Sequence, residues 1–215
     1  MAARPPLPPR ERFGIASDVA RGLVFLHTVC DPPIIHQDIK SDNILLGPAP
    51  GGAGLVAKLA DFGTVRLVPK LAQEGTHAPT HHSTRHLVGT SAYMPMEYTQ
   101  QGHVSAKTDT YAFGIVLLEL LSGRPPSDPH TRLPLIELMQ EAMAKPKRLM
   151  RDVADTELGE GRAAWDTKAW CALLGVAQRC VEPYPRNRCA VADVVAEIDR
   201  LAGRGVERRR GRWFS

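Results

Sequence analysis

Two short stretches decide the fold of this chain: His36-Gln37-Asp38-Ile39-Lys40-Ser41-Asp42-Asn43-Ile44-Leu45-Leu46 and, further along, Asp61-Phe62-Gly63. The apolar runs 44–46 and 55–59 are typical of short β-strands, and the glycine-rich residues 47–54 between them predict a turn. The resulting β-hairpin presents Asn43 at one end and Asp61 at the other. We therefore expect these two side chains to converge, close enough to share one metal ion.

The two stretches resemble the catalytic loop and the magnesium loop of protein kinases, whose patterns are H-R-D-L-x-x-x-N and D-F-G. The resemblance implies that Asp38 is the catalytic carboxylate at the attacking hydroxyl and that Lys40 contacts the phosphate. A plain surface lysine is the alternative for Lys40. The resemblance also implies that Asn43 and Asp61 bind Mg²⁺, so ATP and Mg²⁺ are the expected cofactors. Asp42, beside Asn43, is expected to be a solvated loop residue.

The remaining sequence predicts a mainly α-helical fold. Apolar residues recur at helical spacing from Ile15 to Leu26, which predicts an amphipathic helix that ends near His27. Residues 109–121 are apolar nearly all round, as in a helix buried at the centre of a domain. Further helices are expected at 135–144, 170–180 and 190–201.

The stretch from about Phe13 to Leu201 resembles the helical C-terminal lobe of a protein kinase. Residues 89–97 are similar to the G-T-x-x-Y-M-A-P-E segment that ends the activation loop, and residues 109–114 to the D-x-Y-x-F-G start of the central helix. The resemblance implies a largely buried ion pair between Glu97 and Arg188. The expected fold class is therefore mainly α, a kinase-like C-terminal lobe with a short β-hairpin at the catalytic and magnesium loops.

The sequences of these motifs are most similar to those of one branch of the family. Lys40 two residues after Asp38, together with Gly89-Thr90, is similar to serine/threonine kinases rather than tyrosine kinases. The catalytic-loop and central-helix sequences resemble the receptor-like and interleukin-receptor-associated kinase group. The resemblance implies a protein substrate with Ser or Thr hydroxyls, and it gives His36 a structural role in packing near Phe62.

The chain departs from the family pattern in three places. Gln37 replaces the arginine that pairs with a phosphorylated activation loop, and a neutral amide cannot make that charge-assisted contact. Residues 95–97 are Pro-Met-Glu where the family has Ala-Pro-Glu. No glycine-rich loop or V-A-I-K lysine precedes His36, and the first lysine is Lys40, so we expect the N-terminal lobe to be missing.

Composition restricts the class of protein further. The chain has 215 residues, of which 43% are hydrophobic and 23% charged, with a net charge of +4, which is ordinary for a globular domain and demands no nucleic-acid partner. No apolar run approaches the ~18 residues of a membrane span. The four cysteines lack C-x-x-C spacing, so buried free thiols in a reducing compartment are expected. The expected location is intracellular, in the cytoplasm.

The sequence divides into a proline-rich segment at 1–12, a kinase domain consisting of the C-terminal lobe at 13–202 and a basic tail at 203–215. Residues 64–92 predict a long polar loop. Its candidate phosphorylation sites, which could equally be polar filler, are Thr76, Thr80, Ser83 and Thr84. Its histidines have no carboxylate or thiolate beside them and are expected to be solvated rather than metal-bound: His77, His81, His82 and His86.

Two functional hypotheses follow. In the first, the chain is an N-terminally truncated serine/threonine protein kinase that transfers the γ-phosphoryl group of ATP to protein hydroxyls. In the second, it is a catalytically silent kinase lobe that binds protein partners through its helical surface. The missing lobe favours the second hypothesis, whereas the retention of Asp38, Asn43 and Asp61 favours the first.

Overall fold

A computed structural model describes residues 6–52, 54–68, 91–143 and 166–203. Most of the long polar loop, with its candidate phosphorylation sites, its histidines and Gly89-Thr90, lies outside these ranges, as does the tail from residue 204. The described helices are α1 (Pro9–Val24), α2 (Met96–Gln101), α3 (Ala106–Ser122), α4 (Leu135–Met143), α5 (Thr167–Cys180) and α6 (Val191–Leu201). The described strands are β1 (Ile34–Ile35), β2 (Ile44–Pro48), β3 (Leu55–Leu59) and β4 (Arg66–Leu67).

The apolar helix α3 lies at the centre of the fold, as its sequence predicts. Phe113, Leu117 and Leu121 are completely buried. Ser105 begins the helix because its hydroxyl accepts the Lys107 N–H while its own N–H is bonded to the Thr108 hydroxyl, a reciprocal capping box. Burying side chains all round a helix requires neighbours on every face, so α3 organises the packing of the other helices.

Helix α5 packs along α3 through its largest fully buried side chain. Trp170 is completely buried, and its indole N–H donates to the Leu121 carbonyl at 3.3 Å. Asp166 begins α5 by accepting the N–H groups of Lys168 and Ala169, at 2.7 and 3.1 Å. These bonds fix the first turn of α5 and join it to the end of α3.

Helix α1 begins earlier than the sequence predicts. The prolines indicate an extended segment through residue 10, but the helix starts at Pro9 because proline is well suited to the first helical turn, where its missing N–H is not needed. At its other end, α1 continues through a π-helical turn at Phe25–Val29. The extended conformation therefore ends at Pro8.

Polar contacts join α1 to α6 and to the hairpin. Ser17 donates to Asp199 at 2.6 Å, and Arg21 makes a two-pronged contact with the same carboxylate at 3.0 and 2.9 Å. Asp18 accepts the N–H of Ala57 in β3 at 3.0 Å. These contacts connect residues distant in sequence and hold the hairpin against the helical core.

The predicted β-hairpin is present. Strands β2 and β3 are antiparallel, and their register pairs Ile44 with Leu59 and Pro48 with Leu55. A second two-stranded sheet, in which β1 pairs with β4, was not predicted, because two-residue strands carry no periodic signal. This second sheet brings the chain that follows the magnesium loop back beside the chain that enters the catalytic loop.

We expect Gly114→Ala to destabilise the fold. A Cβ atom at Gly114 would lie 2.6 Å from Val181 Cγ1 and 2.8 Å from Cys180 Cβ, so α3 and α5 would have to separate. Overpacking of this kind costs ~1–3 kcal/mol in the free energy of unfolding. Urea denaturation measures the change. Gly175→Ala in α5 is the control, since its nearest atom lies 4.0 Å away and alanine should stabilise the helix by up to ~1 kcal/mol. Equal effects at both positions would contradict close packing at Gly114.

Candidate active site

Asp38 lies at the centre of a cluster of polar side chains from the catalytic loop. Its Oδ2 atom accepts hydrogen bonds from Lys40 Nζ at 2.7 Å and from Asn43 Nδ2 at 2.8 Å. The same Asn43 Nδ2 also donates to the Asp38 carbonyl at 2.8 Å. The side chains of Asp38 and Lys40 are 14% and 20% exposed, so the pair is partly shielded yet reachable from solvent. The loop thus brings together three of the residues that the sequence singles out.

The backbone of this loop is held by Asp109 in the first part of α3. The Asp109 carboxylate is 1% exposed and accepts the N–H groups of His36 and Gln37, each at 2.8 Å. His27 Nε2 lies 2.8 Å from the same carboxylate. Gln37 has a positive φ of 69°, an uncommon conformation that this pair of bonds helps to maintain. Asp109 belongs to a motif that the sequence identifies, but the motif does not predict this contact. The contact joins residues that are 73 positions apart.

The magnesium-loop motif is attached to the catalytic loop through main-chain bonds. The N–H of Ala60 donates to the Asn43 carbonyl at 2.9 Å, directly beyond the last hairpin pair. His36 is completely buried, and its Nε2 lies 3.0 Å from the Ala60 carbonyl. The His36 and Phe62 rings are in contact, with centroids 4.9 Å apart, which confirms the expected packing. Asp61 therefore follows immediately after a residue that is bonded to Asn43.

Asn43 and Asp61 present suitable atoms for a hard cation. Asn43 uses its Nδ2 for Asp38, which leaves its amide oxygen for another partner. Asp61 is exposed, adopts a left-handed conformation with φ of 60°, and accepts the Gly63 N–H through Oδ1 at 3.3 Å. Mg²⁺ prefers oxygen ligands and retains several waters, so one amide and one carboxylate fit such an ion. Asp42, in contrast, points to solvent, as expected.

Gln37 connects the two loops. Its Nε2 donates to the Thr64 carbonyl at 2.7 Å, and the Thr64 hydroxyl donates back to the His36 carbonyl at 3.1 Å. This reciprocal pair ties the catalytic loop to the end of the magnesium loop. The neutral amide at position 37 thus has a local structural role.

A half-buried carboxyl group beside the catalytic loop was not predicted from the sequence. The Glu119 carboxylate of α3 accepts hydrogen bonds from the Tyr93 hydroxyl at 2.8 Å and from the Ser41 hydroxyl at 3.1 Å. Burial raises the pKa of Glu119 to about 7, although both hydrogen bonds oppose the rise. Burial, followed by the charge of Glu119, also raises the pKa of Tyr93. The sequence feature that could have identified Glu119 is its position as a single acidic residue within the apolar run 115–121.

The expected ion pair between Glu97 and Arg188 is present. Arg188 Nη1 lies 2.7 Å from Glu97 Oε1, and the two side chains are 0% and 10% exposed. The remaining guanidinium donors bond to main-chain carbonyls, among them those of Lys107 at 2.8 Å and Glu182 at 2.8 and 3.0 Å. The buried charge is therefore fully surrounded by acceptors, and it holds the start of α2 against the loop before α6.

A comparison with known proteins identifies the family of the chain. The pattern of the family described as protein kinase domain matches residues 3–197. The chain belongs to the protein kinase family, whose members use ATP and Mg²⁺.

Its relatives fall in the receptor-like kinase group. The chain is 37% identical over 200 residues to serine/threonine-protein kinase PBS1 of Arabidopsis thaliana, covering 91% of this chain and 40% of that protein. It is 35% identical over 199 residues to phytosulfokine receptor 2 of the same plant, covering 92% and 18%. It is 37% identical over 193 residues to receptor-like protein kinase BRI1-like 3, covering 88% and 15%. The chain thus spans less than half the length of each of these relatives.

Receptor proteins among these relatives raise the question of a membrane segment. Within the described ranges, no helix is both long and apolar enough to cross a bilayer.

We expect Arg188→Ala to lower the free energy of unfolding by ~3–5 kcal/mol, because the substitution leaves the Glu97 carboxylate buried without its partner. Arg179→Ala is the matched control. Arg179 also pairs with a glutamate, Glu197, but those side chains are 47% and 33% exposed, so the loss should be at most ~1 kcal/mol. Urea denaturation of both variants gives the comparison. Similar losses in the two variants would contradict the difference in burial.

We expect Glu119 to make stability depend on pH. The native carboxyl group binds its proton more tightly than the unfolded one, with a pKa of about 7 against 4.5, so the native state is favoured at low pH. This contribution is lost as pH rises through 4.5 to 7, which lowers the free energy of unfolding by up to roughly 3 kcal/mol relative to Glu119→Gln. Urea denaturation at pH 5 and pH 8 measures the difference.

Tyr93→Phe provides the control for this pH effect. It removes a hydrogen bond that favours the charged Glu119, so the loss of stability with rising pH should become larger. If the free energy of unfolding changes with pH in the same way in the wild type and in Glu119→Gln, the pKa of Glu119 is the same in the folded and the unfolded protein, and the prediction is wrong.

Proposed function

We propose that this chain carries the catalytic half of a serine/threonine protein kinase, which transfers the γ-phosphoryl group of ATP to a protein hydroxyl. The observation that carries the proposal is the arrangement around one carboxylate. Asp38 Oδ2 is bonded to both Lys40 and Asn43, and the β-hairpin places Asp61 one residue beyond the Asn43–Ala60 bond. The names of relatives such as serine/threonine-protein kinase PBS1 support Ser and Thr as the acceptors.

Each of these residues has a distinct role in the proposed reaction. Asp38 orients the substrate hydroxyl and accepts its proton, through the oxygen that is not bonded to Lys40 and Asn43. Lys40 reaches the transferred phosphate from its place beside Asp38. Asn43 and Asp61 hold Mg²⁺, which neutralises charge on the phosphate oxygens when bound. Catalysis of this kind depends on positioning and electrostatic stabilisation, which the Asp109 bonds to the loop backbone support.

The proposal assigns residues 13–202 to the C-terminal lobe of the kinase domain and residues 203–215 to a basic tail. The described side chains supply the base and the metal ligands but not the other half of a kinase site. That half consists of a glycine-rich cover and a lysine on the α/β-phosphates, for which residues 1–35 contain no candidate. We therefore attribute these functions to an N-terminal lobe outside the 215 residues.

Two further parts of the proposal concern regulation and location. Because Gln37 is neutral and already bonded to Thr64, activation through a phosphorylated loop does not act through position 37. We also propose an intracellular, cytoplasmic location, because ATP, the proposed phosphoryl donor, is available there.

We expect no measurable transfer by the 215 residues alone and Asp38-dependent transfer once an N-terminal lobe is joined to them. Without that lobe, ATP contacts only one wall of its cleft and its γ-phosphate is not positioned. The measurement uses labelled ATP and a generic basic protein substrate, with the N-terminal lobe of a receptor-like kinase fused before residue 1. Asp38→Asn in the fusion should reduce transfer by ~10²-fold or more, since it removes the general base.

The exposed carboxylate Asp42 supplies the matched control. Asp42→Asn changes the same chemical group four residues away, at a position exposed to solvent, and should leave transfer unchanged. Robust Asp38-dependent transfer by the 215 residues alone would show that the second lobe is dispensable. A folded fusion with no transfer at all would favour the silent, partner-binding lobe.

A further inference from the structure

Two cysteines face each other where helix α5 ends. Cys180 is the last residue of α5 and is completely buried, whereas Cys189 lies in the loop before α6 and is partly exposed. Their sulfur atoms are 3.6 Å apart. The N–H of Cys189 donates to the Arg179 carbonyl at 3.2 Å, so the backbone already holds the two positions side by side.

The surroundings make the two thiols chemically different. A hydrogen bond from Cys180, together with the positive charges of Arg179 and Lys107, lowers the pKa of Cys189 to about 7 against the effects of burial and Asp193. The same hydrogen bond and full burial raise the pKa of Cys180 well above its usual value. A thiolate is the reactive form of cysteine, so Cys189 is the nucleophile and Cys180 is its protonated neighbour.

We propose that Cys189 is a site of reversible oxidation by hydrogen peroxide, and that Cys180 resolves the oxidised Cys189 into an intramolecular disulfide. The proposal rests on the facing sulfur atoms and on the solvent access of one of them. It is independent of phosphoryl transfer, and its test does not require kinase activity.

The chemistry balances in two steps. The Cys189 thiolate attacks one peroxide oxygen, the O–O bond breaks, and the departing hydroxide takes up a proton to give water and a sulfenic acid on Cys189. The Cys180 sulfur then attacks Cys189 Sγ. The new S–S bond forms as the S–O bond breaks, and the hydroxyl group leaves with the Cys180 proton as a second water. In total, two thiols lose two electrons and one peroxide becomes two waters.

The geometry favours the second step. A disulfide has an S–S distance of about 2.05 Å, so the sulfur atoms must approach by roughly 1.5 Å, within the reach of side-chain rotation and a small loop movement. The bond would join the end of α5 to the residue that follows Arg188, whose side chain holds Glu97. Oxidation would therefore tighten the loop that anchors the start of α2.

Peptide mapping of the 215-residue protein tests the proposal directly. The reduced protein is treated with hydrogen peroxide, its remaining thiols are alkylated, and it is digested with trypsin. Cleavage after Arg179, Arg186, Arg188 and Arg200 places Cys180 in peptide 180–186 and Cys189 in peptide 189–200. We expect these two peptides to become joined, with a mass lower by two hydrogens than their sum, and to separate again after reduction.

Three variants distinguish the roles of the thiols. Cys189→Ser should abolish the joined peptide, whereas Cys180→Ser should leave a sulfenic acid on Cys189 that dimedone traps. Cys171→Ser is the matched control, because Cys171 lies in the same helix without a facing thiol among the described residues, and it should not change the yield. Circular dichroism confirms that each variant is folded.

A further measurement separates the proposed pair from general thiol reactivity. The alkylation rate of Cys189 should have its midpoint near pH 7, and Cys180→Ala should move that midpoint toward ~8.5 because the donor is lost. Cys180→Ser, which retains a donor, should move it less. The proposal is wrong if folded protein gives no joined peptide, if Cys189 pairs with Cys30 or Cys171 in equal yield, or if dimedone labels no cysteine in Cys180→Ser.

Discussion

The carboxylate of Asp109 is the contact on which the rest of the site depends. A buried charge is tolerated only when it is fully hydrogen-bonded, and Asp109 obtains its donors from the His36 and Gln37 N–H groups and from His27. The loop is stabilised as well, because its two N–H groups are not bonded within a regular helix or strand and donate to the carboxylate instead. The positive φ of Gln37 is compatible with these bonds, and it aims the next residue, Asp38, toward Lys40 and Asn43. The position of the proposed base is therefore set from the central helix.

The structural features that could be predicted from the sequence are those that depend on residues close together in the chain. Its apolar periodicity identifies five of the six described helices and the hairpin to within a few residues, but not the six-residue α2. Its motifs identify Asp38, Lys40, Asn43 and Asp61 as site candidates. Contacts across long separations are not visible in such patterns. The resemblance supplied the pair of Glu97 and Arg188, but nothing indicated the β1–β4 sheet, the bonds of Asp109 or the facing cysteines, which are nine positions apart.

Glu119 shows why an isolated polar residue in an apolar helix carries information. Its neighbours in α3 are buried, and placing a carboxyl group among them costs free energy unless donors reach it. Ser41, two residues before Asn43 in the catalytic loop, and Tyr93, shortly before α2, provide those donors. The group therefore joins three segments of the chain at the edge of the proposed site. Its raised pKa is the remaining cost of burial, which the two hydrogen bonds reduce without removing.

The first turn of α3 supports both the catalytic loop and the thiol pair. Asp109 holds the loop, and two residues earlier the Lys107 carbonyl accepts a hydrogen bond from Arg188 while Lys107 Nζ donates to the Arg188 carbonyl. Because Ser105 caps this turn, its geometry is fixed independently of either contact. Arg188, adjacent to Cys189, therefore contacts the same helical turn that positions His36 and Gln37. Direct hydrogen bonds within one helical turn thus link the residue beside Cys189 to the backbone of His36 and Gln37, next to Asp38.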